Sequence, residues 1–213
     1  MGAKAWEMQV PTTPRFKGTI SRTEYGTTLI RTQRECRETT LLSNLPIMGG
    51  LYDVPRDMEG VYFEITVNRM EGVVAIGTAC RPYPEFRFPG WNRQSAGFHL
   101  DDMRKFFEDP DGGRDYMAEG KLKSGDVIGC GYEFGRAVLF FTYNGERLPD
   151  AFTGVHLPRA AWDVYAAIGV CGESEVEVNF GCRGFTWKTP VGERWAVERH
   201  IGGLIAATST TTQ

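Results

Sequence analysis

The segment Gly125-Asp126-Val127-Ile128-Gly129-Cys130-Gly131-Tyr132, followed by Ala137-Val138-Leu139-Phe140-Phe141-Thr142-Tyr143-Asn144-Gly145, decides the fold class. Ala137 to Tyr143 reads as a strand, and Asn144-Gly145 stands directly before Glu146-Arg147-Leu148. Asn-Gly between two strands is a strong hairpin signal, because a type I′ turn needs positive φ at both central residues. Upstream, Val127 to Tyr132 is a second apolar run that opens on a Gly-Asp turn, and Gly135 separates it from the next. Outward from this segment the pattern stays at period two. Val61, Phe63, Ile65 and Val67 alternate with Tyr62, Glu64 and Thr66; Val164, Ala166, Ile168 and Val170 do the same; and Val176, Val178 and Phe180 stand opposite Glu175, Glu177 and Asn179. Each reads as a strand with one face on a core. Many short strands with turn chemistry at the joins predict an all-β protein, a β-sandwich of two antiparallel sheets. Only Asp101 to Glu108 and Gly192 to Arg199 read as short helices, Met1 to Arg22 as a loosely ordered lead-in, and Ile201 to Gln213 as a frayed tail.

At 213 residues the chain can bury a core without disulfides or metal. Its 24 Lys and Arg against 27 Asp and Glu give a net charge of −3, with both signs interspersed. That argues against nucleic acid or an anionic membrane as the partner. The 26 glycines, 13 Phe, 8 Tyr and 5 Trp suit short strands and tight turns better than a helical bundle. The five cysteines (Cys36, Cys80, Cys130, Cys171 and Cys182) are odd in number and widely spaced, and no Asn-x-Ser/Thr sequon occurs. The expectation is reduced thiols and a cytoplasmic location. Met1 to Phe16 holds no apolar signal region, Trp6 stands where a myristoylation signal wants Ser or Thr, and no apolar stretch approaches the ~20 residues of a membrane span.

Catalytic and metal signatures fail on inspection. The acidic run from Asp109 to Asp115 lacks the Gly and Glu of a calcium loop, since the sixth and twelfth places from Asp109 hold Arg114 and Gly120. Gly129-Cys130-Gly131 is followed by a strand instead of the helix a dinucleotide fingerprint requires. His99, His156 and His200 are far apart in sequence, and no acid/base pair or nucleophile elbow is evident. The expectation is a non-enzyme with no cofactor and no metal. One loop is unusual. Arg81-Pro82-Tyr83-Pro84-Glu85-Phe86-Arg87-Phe88-Pro89-Gly90-Trp91 packs three prolines and four aromatics into eleven residues. Prolines at that density exclude a central strand, so this is a stiff connection. It can cap the sandwich, or present aromatic and Arg anchors to a partner.

The chain resembles the SPRY domain (B30.2/SPRY superfamily) from about Glu38 to Trp187. Gly60-Val61-Tyr62-Phe63-Glu64-Ile65 resembles the family's "YFEV" strand, and Val74-Ala75-Ile76-Gly77 its "VGIG". Pro89-Gly90-Trp91 with Ser95-Ala96-Gly97-Phe98-His99 is similar to "LPGW…SVGYH", and Asp101-Asp102 with Arg104-Lys105-Phe106 to "DDGRKF". Gly125 to Gly131 resembles "GDVIGCG", Phe140 to Gly145 "IFFTKNG", Ala151-Phe152 the following "AF", and Val178 to Gly181 the closing "VNFG". Met103 replaces the Gly expected after Asp101-Asp102. The loop from Arg81 and the segment Phe107 to Tyr116 look more like fungal Ear-type SPRY proteins, with Ran-binding-protein-type domains as second choice. The Ear-type group is implicated in ubiquitin-dependent sorting of membrane proteins, as adaptors of a HECT ubiquitin ligase. The transmembrane segment and Pro-Pro-x-Tyr motifs used there do not occur in these residues, and a full-length relative could be associated with endosome or vacuole membranes.

The resemblance implies an N-terminal extension over residues 1–37, partly ordered, a SPRY domain over 38–190 and a tail over 191–213. It implies a module that binds a short peptide of a partner protein, with ubiquitin-ligase machinery as a further partner. Mapped by motif, the pocket walls are Arg81, Tyr83, Phe86 and Trp91 from the Pro-rich loop, Phe106, and the turn Val170-Cys171-Gly172, with Arg114 and Tyr116 at the rim. The loop and the turn are expected at one end of the sandwich, with the Gly172 amide open to a peptide backbone. The alternative is a carbohydrate-binding β-sandwich, which stacking aromatics with Asp and Asn would suit.

Overall fold

A computed structural model describes residues 2–50, 54–118, 120, 122–155, 157, 162–188 and 192–202. The expected alternation is carried by strands β1 (Gly18–Arg22), β2 (Thr28–Thr32), β3 (Thr39–Leu42), β4 (Gly60–Met70), β5 (Val73–Cys80), β6 (Ser95–His99) and β7 (Arg104–Phe107). They are followed by β8 (Arg114–Asp115), β9 (Asp126–Glu133), β10 (Val138–Tyr143), β11 (Glu146–Arg147), β12 (Phe152–Thr153), β13 (Val164–Cys171) and β14 (Ser174–Asn179). One antiparallel sheet runs β1-β2-β14-β4-β9-β10-β11, with β12 also paired to β10. The other runs β3-β13-β5-β6-β7-β8. Val61, Phe63, Ile65 and Val67 of β4 meet Val74, Ile76, Ile168 and Val170 of the facing sheet in one continuous core. This is the predicted β-sandwich.

The first sheet is covered on its outer face too. Tyr62, Phe140 and Val138 point away from the main core and form a second cluster with Trp195, against which Phe185 and Trp187 pack. Glu64, alternate to the core residues and buried, holds this cover in place. Its carboxylate accepts the Thr186 N–H at 3.0 Å, the Tyr62 hydroxyl at 3.1 Å and Asn179 Nδ2 at 3.4 Å. Residues 192–202 are therefore part of the packed structure and not tail: Trp195, Val197, His200 and Ile201 are buried. Residues 203–213, the rest of the expected frayed tail, lie outside the described residues.

Two further expectations are corrected. The lead-in over Met1 to Arg22 is built into the domain: β1 pairs β2 from Gly18↔Thr32 to Arg22↔Thr28, and β2 pairs β14. Trp6 is fully buried in the main core, with Nε1 donating to the Pro46 carbonyl at 3.0 Å. Burial of one Trp is worth about 4–6 kcal/mol as an upper bound, enough to bind this segment to the sandwich. Asp101 to Glu108 is a turn and a strand, not a helix. Met103 at φ 56° and Glu108 at φ 52° break any helical run, and β7 between them pairs with β6. Of the cysteines, Cys36, Cys80 and Cys130 are buried, and Cys171 and Cys182 are half-buried.

The Asn144-Gly145 turn joins Tyr143 to Glu146 with φ 48° and 87°, as type I′ requires. Asn144 also works through its side chain, since Oδ1 accepts the Val127 N–H at 2.7 Å and Nδ2 donates to Asp126 at 3.0 Å. A Cβ at Gly145 would meet the Thr186 carbonyl at 2.9 Å as well as forcing an L residue to positive φ. Gly145→Val is therefore expected to lower stability by about 1–3 kcal/mol, read as a lower urea midpoint; an unchanged midpoint would refute the strain.

Candidate functional site

The Pro-rich loop leaves β5 at Cys80 and returns at Ser95, and between them it lies on the outer face of the six-stranded sheet. Such contact requires small residues beneath it. A Cβ on Gly97 would meet the Pro89 carbonyl at 2.2 Å, and one on Gly169 would meet Phe88 and Pro89 at 3.0 Å. The same Pro89 carbonyl accepts a hydrogen bond from His99 Nε2 at 2.9 Å, which fixes the proton on that nitrogen. Around the imidazole stand Phe106, stacked at 4.0 Å, Phe88 at 5.5 Å and Trp91 at 5.6 Å. Tyr83 closes the loop on itself, its hydroxyl donating to the Phe88 carbonyl at 2.6 Å and lying 3.1 Å from Ser95 Oγ.

Before it reaches Phe88, the loop runs beside β3. Arg81 donates to the Ser43 carbonyl at 2.9 Å and to Gln9 at 2.5 Å, and lies 4.2 Å over the Tyr165 ring. Four residues on, the Glu85 carbonyl accepts the Thr40 N–H at 2.7 Å, while its carboxylate accepts the N–H groups of Thr12 and Thr13 at 2.9 and 2.7 Å. Residues 9–12 on one side and 81–85 on the other thus wall a groove of about 490 Å³, floored by Thr40, Leu41 and Leu42. Val10, 65% exposed, stands on one wall, and Phe86, 56% exposed, follows Glu85.

The sequence-derived site residues fall in separate places. Arg81 and Tyr83 line this groove. Trp91 is half-buried and Phe106 is buried in the aromatic stack around His99, so neither forms an open wall. Arg114 and Tyr116 lie on the far edge of the sheet, where Tyr116 Oη donates to the Pro149 carbonyl at 2.5 Å. The loop does reach β13, the strand that leads into the turn Val170-Cys171-Gly172, since Phe88 and Pro89 pack on Gly169 beside Val170, but the turn is not the open wall expected of it. Val164 pairs with Cys80, next to Arg81, whereas Cys171 pairs with Val73 at the opposite end of the ladder. Val170 is fully buried, and the Gly172 N–H is bonded to the Cys36 carbonyl at 2.8 Å, so it is not open to a peptide. Sequence reasoning missed Gln9 to Thr12, because nothing in the composition of that segment announces a groove wall. Among the described residues no cluster of three or more His, Cys, Asp or Glu could hold a metal ion.

Residues 60–183, more than half the chain, match the sequence profile of the SPRY domain. The chain belongs to the SPRY domain family. It is 31% identical over 208 residues to protein Ssh4 of Sclerotinia sclerotiorum, a match covering 95% of this chain and 35% of that protein. It is also 31% identical over 177 residues to a SPRY domain-containing protein of Schizosaccharomyces pombe, covering 82% of this chain and 42% of that one. A crystal structure of a human SPRY domain superposes with a TM-score of 0.56 at 23% identity, over 78% of this chain and 96% of that one. The chain thus spans about a third of the length of its Ssh4 relatives. SPRY domains are in general protein-interaction modules and typically lack catalysis. Among the described residues no helix is long and apolar enough to cross a membrane.

Burial lowers the pKa of His99 to about 4, against the smaller opposing effect of its bond to Pro89. In the unfolded chain the same imidazole titrates near 6.5. The unfolded state therefore binds the extra proton first as pH falls. The contribution of His99 is fully present above pH 6.5 and is lost down to about pH 4, at ~1.4 kcal/mol per pH unit. Asp101, whose carboxyl is raised by burial, works in the opposite direction. Urea midpoints measured from pH 7 to 4, followed by Trp fluorescence, are expected to fall more steeply for the parent than for His99→Phe; parallel slopes would refute the assignment.

Proposed function

We propose that this SPRY domain is the recognition part of a larger adaptor protein and takes an extended peptide segment of its partner in the groove between residues 9–12 and 81–85. The observation that carries this reading is the edge of β3. Ser43 N–H donates to the Ala166 carbonyl, which fixes the alternation of the ladder and turns Thr40 and Leu42 away from β13. Their outward groups are half used: Glu85 O takes the Thr40 N–H, and the Gln9 N–H takes the Leu42 carbonyl. The Thr40 carbonyl and the Leu42 N–H face the groove between those two bonds, with no partner among the described residues. An extended peptide can supply both missing partners, adding a short strand to the sheet. Val10, Pro82 and Leu42 offer apolar contact, and Arg81 and Tyr83, their polar tips tied within the chain, stand as rigid wall side chains. The stiffness of a loop with three prolines lowers the entropy lost on binding. Similarity to fungal Ssh4 proteins and the Ear-type resemblance support an adaptor of a HECT ubiquitin ligase in membrane-protein sorting, with this domain on the cytoplasmic side.

The test is a peptide-library screen on the full chain, followed by calorimetric titration of the best ligand. Methylating one central peptide nitrogen and, separately, Val10→Arg are each expected to weaken binding about tenfold, or ~1.4 kcal/mol. Glu146→Ala, on the exposed hairpin β11, is expected to leave it unchanged. Ligands indifferent to both changes would place the peptide elsewhere.

A further inference from the structure

The edges of the two sheets meet at a second cleft, away from the groove, between β7–β8 and β12. It encloses about 530 Å³ and is lined by Lys105, Arg114, Asp109, Phe152 and the main chain through Gly154. Lys105 and Arg114 are directly opposed in the β7–β8 pair. Like charges in that position repel and destabilise a ladder. The neighbouring pair shows the alternative: Arg104 opposes Asp115 and is bonded to it at 3.0 Å. Neither Lys105 nor Arg114 has an ion-pair partner among the described residues, although Arg136 and Arg147 nearby are both neutralised by Asp150 and Glu133. The Lys105 ammonium is positioned rather than loose: it donates to the Ala151 carbonyl at 2.8 Å and lies 4.8 Å over the Tyr116 ring. One of its three protons is used there. Burial first, and then the charge of Arg114, lower its pKa, so the cation is held at a cost. Opposite them the Gly154 N–H is unpartnered among the described residues, and nothing lies within 4 Å of where its Cβ would stand.

We infer that this cleft is a second binding site, which takes the carboxylate side chain of an acidic peptide segment between Lys105, Arg114 and the Gly154 amide. The charge balance selects that occupant. Asp109 shares the cleft, its Oδ1 accepting the Asp111 N–H at 2.9 Å, so two cations and one anion leave a single positive charge. One carboxylate completes it, whereas a phosphoryl dianion would also face Asp109.

The experiment uses the ¹⁵N-labelled full chain titrated with an acetylated, amidated tetrapeptide carrying two glutamates. Its diglutamine analogue and inorganic phosphate are titrated in parallel. The acidic peptide is expected to shift the Gly154 and Arg114 amide signals saturably, with the diglutamine peptide and phosphate without effect at equal concentration. Lys105→Met and Arg114→Gln are each expected to weaken binding about tenfold. Arg114→Glu is expected to abolish it while raising the melting temperature by about 1–3 °C, since it replaces the like-charge pair with a complementary one. No shift with the acidic peptide, equal shifts with its neutral analogue, tighter binding of phosphate, or a lower melting temperature of Arg114→Glu would each overturn the inference. Because the groove beside β3 shares none of these residues, failure here is distinguishable from failure there.

Discussion

The Pro89 carbonyl, seated on the main chain of Gly97 and bonded to His99, is the contact on which the functional half of the molecule depends. A side chain at Gly97 would lift the loop from the sheet, since a Cβ there would lie 2.2 Å from that oxygen. With the loop seated, Phe88 becomes a fully buried side chain and Trp91 stacks over it at 5.0 Å. His99 loses water and must stay neutral to remain there. Everything upstream in the loop follows from this anchorage. Tyr83 is tied to the Phe88 carbonyl, and Glu85 and Arg87 reach Thr40, so the stretch from Arg81 to Glu85 is laid alongside β3. The groove is the space left between that stretch and the N-terminal segment.

Alternation made most of the sandwich readable. Val61 to Val67, Val164 to Val170 and Val176 to Val178 bury the residues that a period of two selects, and Asn144-Gly145 forms the turn its chemistry demands. What alternation could not reveal is an element whose stabilisation comes from the main chain. β1, Gly18–Arg22, has one apolar residue and no buried one, yet it pairs over five positions with β2. Hydrophobic patterning is silent about such an edge strand, and composition made it look like lead-in. The failure at Asp101 to Glu108 is of another kind. The apolar spacing of Met103, Phe106 and Phe107 fits a helix, but Met103 at positive φ and the pairing of β7 with β6 override it. The site was legible in part. The density of proline and aromatics marked the loop, and Arg81 and Tyr83 do line a groove. Gly172 was misjudged because the availability of an amide depends on which carbonyl a distant turn, here Cys36, brings to it.

Charge is distributed differently at two adjacent pairs of the β7–β8 edge, and the difference is physical. Along β7–β8 and the β9–β10 end, Arg104, Arg136 and Arg147 each find a carboxylate within 3.0 Å. Exposed pairs of this sort contribute little to stability, but they leave no net field. Lys105 and Arg114 stand apart from that pattern in the same ladder, the first partly buried and the second exposed, with their charges adding. A buried carboxylate elsewhere shows how the fold treats a charge it uses for structure: Glu64 is surrounded by donors on Thr186, Tyr62 and Asn179. A cation pair left without such partners is a local conflict, and conflicts of this kind concentrate where a surface is kept for something outside the chain.

The groove also changes what counts as the domain. The family match begins at residue 60, and sequence resemblance at about residue 38, so both leave the first strands outside. Yet one wall of the groove is Gln9 to Thr12, clamped to the opposite wall by the Glu85 carboxylate through the Thr12 and Thr13 amides. Behind that wall, Gln9 is paired to Leu42 and Trp6 is sunk in the core. A boundary drawn at residue 37 would strip β1 and β2 from β14, open the core at Trp6 and remove half of the groove together. The N-terminal segment and the Pro-rich loop therefore form one recognition surface, assembled on β3 by hydrogen bonds from two parts of the chain some seventy residues apart.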